Sequence, residues 1–279
     1  MGRSLERRFD RHCKMKISPR IMNAKSGSSR QPHSTNADAI GTSSPCANCL
    51  VRPLNICGVL LCAASGEEIP VCKELDWQDH KKTRAHKNIK SAGERSDRVY
   101  IVCDGWAFRF VLLSDGRKQI LSILIPGDVI TPTRLFDENV RFSVQALTDM
   151  QYCGFASSIL RARLIADLAL LDAWAKLLVA ERHHNFGLLI DLGSRTADER
   201  IAHLILDLKL RLEHRGMMVE RSFVFPLSQR LIAAATGLTP EHVSRVMGSF
   251  RRGGLIENGK GSLRIVDLSG LQRIGGLNL

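Results

Sequence analysis

No apolar run in this sequence is long enough to cross a bilayer. The longest stretches, such as Val59 to Ala64, fall far short of the roughly 20 residues a spanning helix needs. The basic N-terminus is not followed by the apolar segment of about 7–15 residues that a secretory signal requires. The expectation is therefore a cytoplasmic chain with no membrane partner. There is also no nucleophile elbow and no phosphate-cradling glycine loop, so no enzyme is expected. Acidic residues are the minority, 28 against 40 Lys and Arg, for a net charge of +12. That balance favours a polyanionic partner. Half of the excess lies in residues 1–45, where nine basic residues face three acids.

With 279 residues, 44% of them hydrophobic, the chain has room for two domains with real cores. Residues 1–40 are polar and rich in Ser, Asn, Lys and Arg, with too little apolar content to fold alone; a disordered basic tail is expected. A cysteine-rich loop follows over 41–65, and a short helix is expected over Glu67–His80. From about residue 95 to 156 the period changes to two. Short runs at Val99–Cys103, Trp106–Leu113, Gln119–Ile125 and Phe142–Leu147 are divided by turns at Asp104-Gly105, Asp115-Gly116 and Pro126-Gly127-Asp128. Evenly spaced short strands of this kind indicate an antiparallel roll or barrel, assigned here to residues 66–160.

Between Ser158 and Leu192 apolar residues recur at helical spacing: Leu170, Ala173, Trp174, Leu177, Ala180 and Leu188. The length, with no obvious partner helix nearby, points to a dimerisation helix over 161–193. Its middle, Glu181-Arg182-His183-His184-Asn185, is polar, either a switching point in a seam or a solvated face. Another helix is expected over Ala197–His214.

Residues 194–279 carry the strongest pattern. Ser228 is a good N-cap for a helix over Gln229–Thr236, and Gly237-Leu238 forms a turn. Thr239 then caps a second helix whose first position, Pro240, needs no N–H. Gly253-Gly254 ends that helix. Leu255-Ile256 and Leu263–Val266, joined through Asn258-Gly259-Lys260-Gly261, read as a wing hairpin. This is a winged helix-turn-helix. Glu241, Ser244 and Arg245 share one face at i, i+3 and i+4, while Val243, Val246 and Phe250 can turn to the core. A glutamate accepts from cytosine N4, and an arginine binds guanine bidentately. Arg251, Arg252 and Lys260 suit phosphate contacts, so double-stranded DNA is the expected partner.

The chain has eight cysteines, which in a reducing compartment are thiols or metal ligands rather than structural disulfides. Three form a tight run, Cys46-x2-Cys49-x7-Cys57. A Cys-x-x-Cys alone fits zinc, redox chemistry or accident; the third cysteine strengthens the case for a thiolate-bound metal. No histidine sits in the run. Cys13, Cys62, Cys72 and Cys103 read as spare or core thiols, with Cys62 placed to substitute for a ligand and Cys103 packing on a strand.

Over residues 66–275 the sequence resembles the CRP/FNR superfamily of bacterial transcription regulators. The resemblance rests on Asp97-Arg-Val-Tyr-Ile-Val-Cys-Asp-Gly-Trp-Ala-Phe-Arg, on Leu121-Ser-Ile-Leu-Ile-Pro-Gly-Asp-Val-Ile, and on Gly237-Leu-Thr-Pro-Glu-His-Val-Ser-Arg-Val. It implies an α+β fold: an N-terminal antiparallel β-roll, a long dimerisation helix and a C-terminal winged helix-turn-helix, acting as a homodimer with RNA polymerase. The cyclic-AMP branch needs a Gly-Glu pair and an Arg-Ser/Thr pair. Here the corresponding stretches are Ile130-Thr-Pro-Thr-Arg-Leu-Phe and Val140-Arg-Phe-Ser-Val-Gln-Ala, so cyclic AMP is not expected. Glu-x-x-Ser-Arg matches the FNR reading face and implies half-sites like those of TTGAT-N4-ATCAA. The FnrN/FixK-like form of that branch also implies an oxygen-labile [4Fe-4S] cluster. Its ligands here would be Cys46, Cys49, Cys57 and Cys153, the last 96 residues beyond Cys57. Some relatives carry a repelling Asp near the position of Asn185, so oxygen control of the dimer is expected to be less sharp here. The alternatives are a regulator of the same fold with four-cysteine zinc or redox-active thiols, and an iron–sulfur electron carrier, against which the reading helix argues.

Overall fold

The computed structural model describes Cys57 and residues 78–137 and 139–276. The tail expected over 1–40, the rest of the 41–65 loop and most of the Glu67–His80 helix lie outside the described residues. At the end of that helix the expectation fails. Residues 78–80 begin a strand, β1 (Gln78–Thr83), which pairs antiparallel with a later strand. Its sequence, Gln-Asp-His-Lys-Lys-Thr, has no alternation; it is extended because a distant strand supplies its hydrogen bonds.

The roll continues through β2 (Asn88–Lys90), β3 (Arg98–Asp104), β4 (Ala107–Leu112), β5 (Lys118–Leu124), β6 (Ser143–Ala146) and β7 (Met150–Ala156). Two antiparallel sheets result, a three-stranded one in the order β1-β7-β3 and a four-stranded one in the order β2-β6-β4-β5. The four expected strands and their glycine turns are present. Gly105 shows why glycine is needed: its φ is +79°, and a Cβ there would lie 2.3 Å from the Asp149 carbonyl oxygen.

Alternation along β3 sorts side chains to two faces. Tyr100 and Val102 pack inside the roll with Ala107, Leu124, Ile130, Val144 and Met150. Val99 and Ile101 point the other way, into a second cluster with Cys153, Phe155, Leu160, Leu164, Leu170 and Trp174.

The expected single long helix is two. Helix α1 (Ser157–Ala166) stops at Asp167, whose backbone is extended, and α2 (Leu168–Ser194) follows. The Asp167 carboxylate accepts from the N–H groups of Ala169 and Leu170, so it acts as an N-cap and starts a new helix. Over its 27 residues α2 runs roughly 40 Å. Its inward face carries Leu170 and Trp174, both on the roll side. A second apolar stripe, Leu171, Val179, Phe186, Leu189 and Ile190, is exposed. The residues that marked the helix in the sequence thus mainly serve its packing on the roll; the outward stripe is a separate set. The polar middle also divides: Glu181 and His184 reach inward to charged partners, whereas Arg182, His183 and Asn185 are exposed.

Helix α3 (Ala197–His214) begins with a capping box between Thr196 and Glu199. Strand β8 (Ser222–Val224), α4 (Gln229–Thr236), α5 (Pro240–Arg252), β9 (Ile256–Gly259), β10 (Ser262–Ile265) and α6 (Leu268–Gly275) complete the chain. The wing is a three-stranded sheet in the order β8-β10-β9. One apolar core joins this domain to the roll: Trp106, Phe108, Ile120 and Ile123 share it with Ile201, Ile205, Ile232, Val246 and Leu263. Among the described residues no helix is long and apolar enough to cross a membrane.

Candidate nucleic-acid interface and cysteine site

The reading helix is positioned by its caps. Ser228 Oγ accepts from Leu231 N–H at 3.3 Å, and Thr239 Oγ1 accepts from His242 N–H at 3.3 Å. Pro240 occupies the first turn of α5. Between the helices Gly237 takes φ +67°, and a Cβ there would lie 2.9 Å from Leu192 Cδ2, so the turn both bends and packs closely. Arg200 Nη1 donates to the Thr236 carbonyl at 3.1 Å, closing the end of α4.

Helix α5 sorts its residues as the spacing requires. Val243, Val246, Met247 and Phe250 are buried. Glu241, Ser244 and Arg245 are exposed, as are Arg251, Arg252 and, on the wing, Lys260. Hydrogen bonds from its own backbone N–H and from Thr239 hold the Glu241 carboxyl below its ordinary pKa, keeping it an anionic acceptor. The arrangement is an acceptor and a guanidinium on one free face, with cations at its end and on the wing.

The four cysteines expected to act together divide differently. Cys46 and Cys49 lie outside the described residues. Cys57 and Cys153 are both buried in the cluster behind β3 and β7, next to Leu170 and Trp174 of α2. A third thiol is there too. Cys103, read from sequence as packing, borders the same cluster, and its Sγ lies 3.0 Å from Cys153 Sγ. Sequence parity held half the signal, since Val99, Ile101 and Cys103 alternate on one strand. The partner strand was not visible without the register. Among the described residues no three His, Cys, Asp or Glu side chains close on a common metal position. Trp174 Nε1–H is buried here without a hydrogen-bond partner.

Charged side chains link the two halves. Asp128, in the turn after β5, accepts from Arg215 Nη2 at 2.6 Å and from Arg211, both on α3. Burial would raise the Asp128 pKa, but Arg211 and Arg215 outweigh it and hold the carboxyl below its ordinary value. Gln119 Nε2 donates to the Ala234 carbonyl of α4 at 3.0 Å.

Comparison with known proteins agrees with this division. Residues 80–166 match the model of the cyclic nucleotide-binding domain, and residues 199–274 match the Crp-like helix-turn-helix domain. A probable transcriptional activator of Rhizobium leguminosarum bv. viciae is 30% identical over 77% of this chain and 86% of its own length. The nitrogen fixation regulation protein FixK of Rhizobium meliloti is 32% identical over 61% of this chain and 74% of its own. The solved structure of FixK2 from Bradyrhizobium japonicum is similar with a TM-score of 0.66 and 25% identity, over 72% of this chain and 99% of that one. With the roll, the long helix and the capped reading helix in place, the chain belongs to the CRP/FNR family of DNA-binding transcription regulators.

Proposed function

We propose that this protein is a cytoplasmic activator that responds to low oxygen through a [4Fe-4S] cluster on Cys46, Cys49, Cys57 and Cys153. It binds palindromes of the TTGAT-N4-ATCAA type as a homodimer, working with RNA polymerase and without cyclic AMP. The observation that carries the reading is that Cys57 and Cys153, 96 residues apart in sequence, share one buried apolar cluster. Buried thiols at an apolar wall fit an iron–sulfur centre, which binds through thiolates and is protected by exclusion of solvent. When bound, such a cluster supplies sensitivity to oxygen. The chain's own part is to offer Cys153 from β7 and Cys57 from the cysteine-bearing segment in one apolar cluster with Val99, Leu164 and Trp174, which includes the inward face of α2.

The outward stripe of α2, Leu171, Val179, Phe186, Leu189 and Ile190, supports the dimer, because a second copy of the helix would remove it from water. Two reading helices one DNA turn apart are what a palindrome requires. Phe142 follows Arg141 where the cyclic-AMP branch has its second phosphate donor, and its ring lies 5.4 Å from the Arg109 guanidinium, which supports a roll without a cyclic phosphate. Among the relatives, a transcriptional activator protein FnrL of Cereibacter sphaeroides is 28% identical over 81% of this chain.

The test is purification without oxygen, followed by assay of iron, acid-labile sulfide and zinc and a visible spectrum before and after air. About four irons and four sulfides per chain, with colour that bleaches in air, is the expected result. Zinc without sulfide or colour would make the cysteines structural and move the signal elsewhere.

A further inference from the structure

We propose that Cys103 and Cys153 form a reversible dithiol–disulfide pair, oxidised by hydrogen peroxide, that removes Cys153 from metal binding. The pair lies on the adjacent antiparallel strands β3 and β7. Along that ladder Ile101 faces Cys153, Val102 faces Tyr152 and Asp104 faces Gln151, so Cys103 is the extra residue of a bulge. The bulge brings its side chain back over the neighbouring strand. Both sulfurs sit over one acceptor, the Ile101 carbonyl, at 3.8 Å for Cys103 and 3.9 Å for Cys153. Their mutual distance of 3.0 Å is about 1 Å longer than a disulfide bond, a gap that side-chain rotation and small strand shifts can close.

Exposure sets the order of events. Cys153 is 1% exposed, whereas Cys103 is half-buried and so the more accessible of the two. Peroxide therefore meets Cys103 first. The Cys103 sulfur attacks one peroxide oxygen and the O–O bond breaks. Cys103 becomes a sulfenic acid, and the departing oxygen takes up the thiol proton and leaves as water. The Cys153 sulfur then attacks the Cys103 sulfur. The S–S bond forms, the S–O bond breaks, and the hydroxyl leaves as a second water with the Cys153 proton. Two thiols and one peroxide thus give one disulfide and two waters. A thiol reductant reverses the change.

The disulfide needs only these two residues. Its consequence for metal uptake rests on the proposed role of Cys153 as a ligand. In an oxidised chain that ligand is lost until the bond is reduced, so peroxide would hold the regulator in its metal-free state.

The test uses the full chain, purified without oxygen and stripped of metal. It is treated with hydrogen peroxide, alkylated in denaturant so that buried thiols react, digested without reductant and mapped by mass spectrometry. A peptide joining Cys103 to Cys153 that disappears with dithiothreitol is the expected result. Full alkylation of Cys103 after peroxide, or a Cys153 bonded instead to Cys46, Cys49 or Cys57, would overturn the proposal. This reading needs no variant. In Cys103→Ser, Cys153 should stay alkylatable after the same treatment. Iron and sulfide uptake is then measured before and after peroxide. Uptake by wild type should fall at least 5-fold after peroxide and recover with dithiothreitol, with a much smaller fall in Cys103→Ser. A fully reduced wild type that takes up neither iron nor sulfide would refute the cluster reading while leaving the mapped disulfide intact.

Discussion

Arg109 on β4 and Glu181 in the middle of the long helix meet at 2.6 Å, between the Arg109 Nη2 and the Glu181 Oε1. The same guanidinium also donates from Nε to the Ile130 carbonyl at 3.0 Å and from Nη2 to the Val129 carbonyl at 2.5 Å. The Arg109 side chain is only 11% exposed, so one largely buried cation ties β4 and the segment after β5 to the helix that carries the outward apolar stripe.

Arg109→Ala should therefore cost on the order of 3 kcal/mol, because it leaves a carboxylate and two carbonyls without their donor. Glu181→Gln keeps a hydrogen-bond acceptor and should cost less. Urea unfolding of both variants checks this; equal, small losses would mean the tie carries little.

The DNA face gives a prediction that separates two roles. Arg245→Ala should lose about 1–3 kcal/mol of affinity and relax discrimination at a guanine position, while Lys260→Ala should weaken binding to all sequences about equally and flatten the salt dependence. Binding measured on a set of single-base variants of the palindrome, at two salt concentrations, distinguishes them. Uniform losses for both would refute the base-reading role of Arg245.

Thr239→Ala should cost about 1 kcal/mol of stability, because the His242 N–H loses its acceptor and the first turn of α5 frays. Glu241 stands in that same turn, so DNA affinity should fall as well. Thr239→Ser, which keeps the hydroxyl, should restore both. Thermal denaturation together with a DNA titration reads the two effects.

Acid should weaken the link between the long helix and the DNA-binding domain. Burial would raise the pKa of Asp207, but hydrogen bonding to His184 and the charge of Arg211 outweigh it and bring it from 3.8 to about 2. Folding therefore lowers this pKa, and the unfolded chain binds the proton more readily. The contribution is complete above the ordinary value and is lost as pH falls from about 4 towards 2, by roughly 2 kcal/mol. Asp128, also held low by Arg211 and Arg215, loses stability in the same direction. Asp207→Asn should flatten the acid limb of a stability–pH curve; an unchanged limb would rule the residue out as its source.

Local chemistry was enough to read the C-terminal unit. Caps, Pro240 and Gly237 act within a few residues of themselves, so the helices over 229–236 and 240–252 and the exposed triad of Glu241, Ser244 and Arg245 follow from the sequence. Strands with clean alternation and a glycine turn were equally legible. Strand β1 was not, because its polar residues are extended only through pairing with β7. The break at Asp167 was missed because an aspartate within helical spacing carries the same apolar pattern on both sides, and its capping role depends on the backbone turn it takes.

The sequence by itself determined the exposed DNA-facing triad on a capped helix and the close run Cys46-x2-Cys49-x7-Cys57, since residue type and short spacing set those patterns; Cys153 entered only through the family resemblance. Only the tertiary structure decided which thiols meet. Cys57 and Cys153 share one apolar cluster. Cys103 lies against Cys153 because β3 and β7 pair in one register with one bulge. Register is a long-range property: it is set by how two distant strands bury their apolar faces together, and no window of sequence around either cysteine contains it.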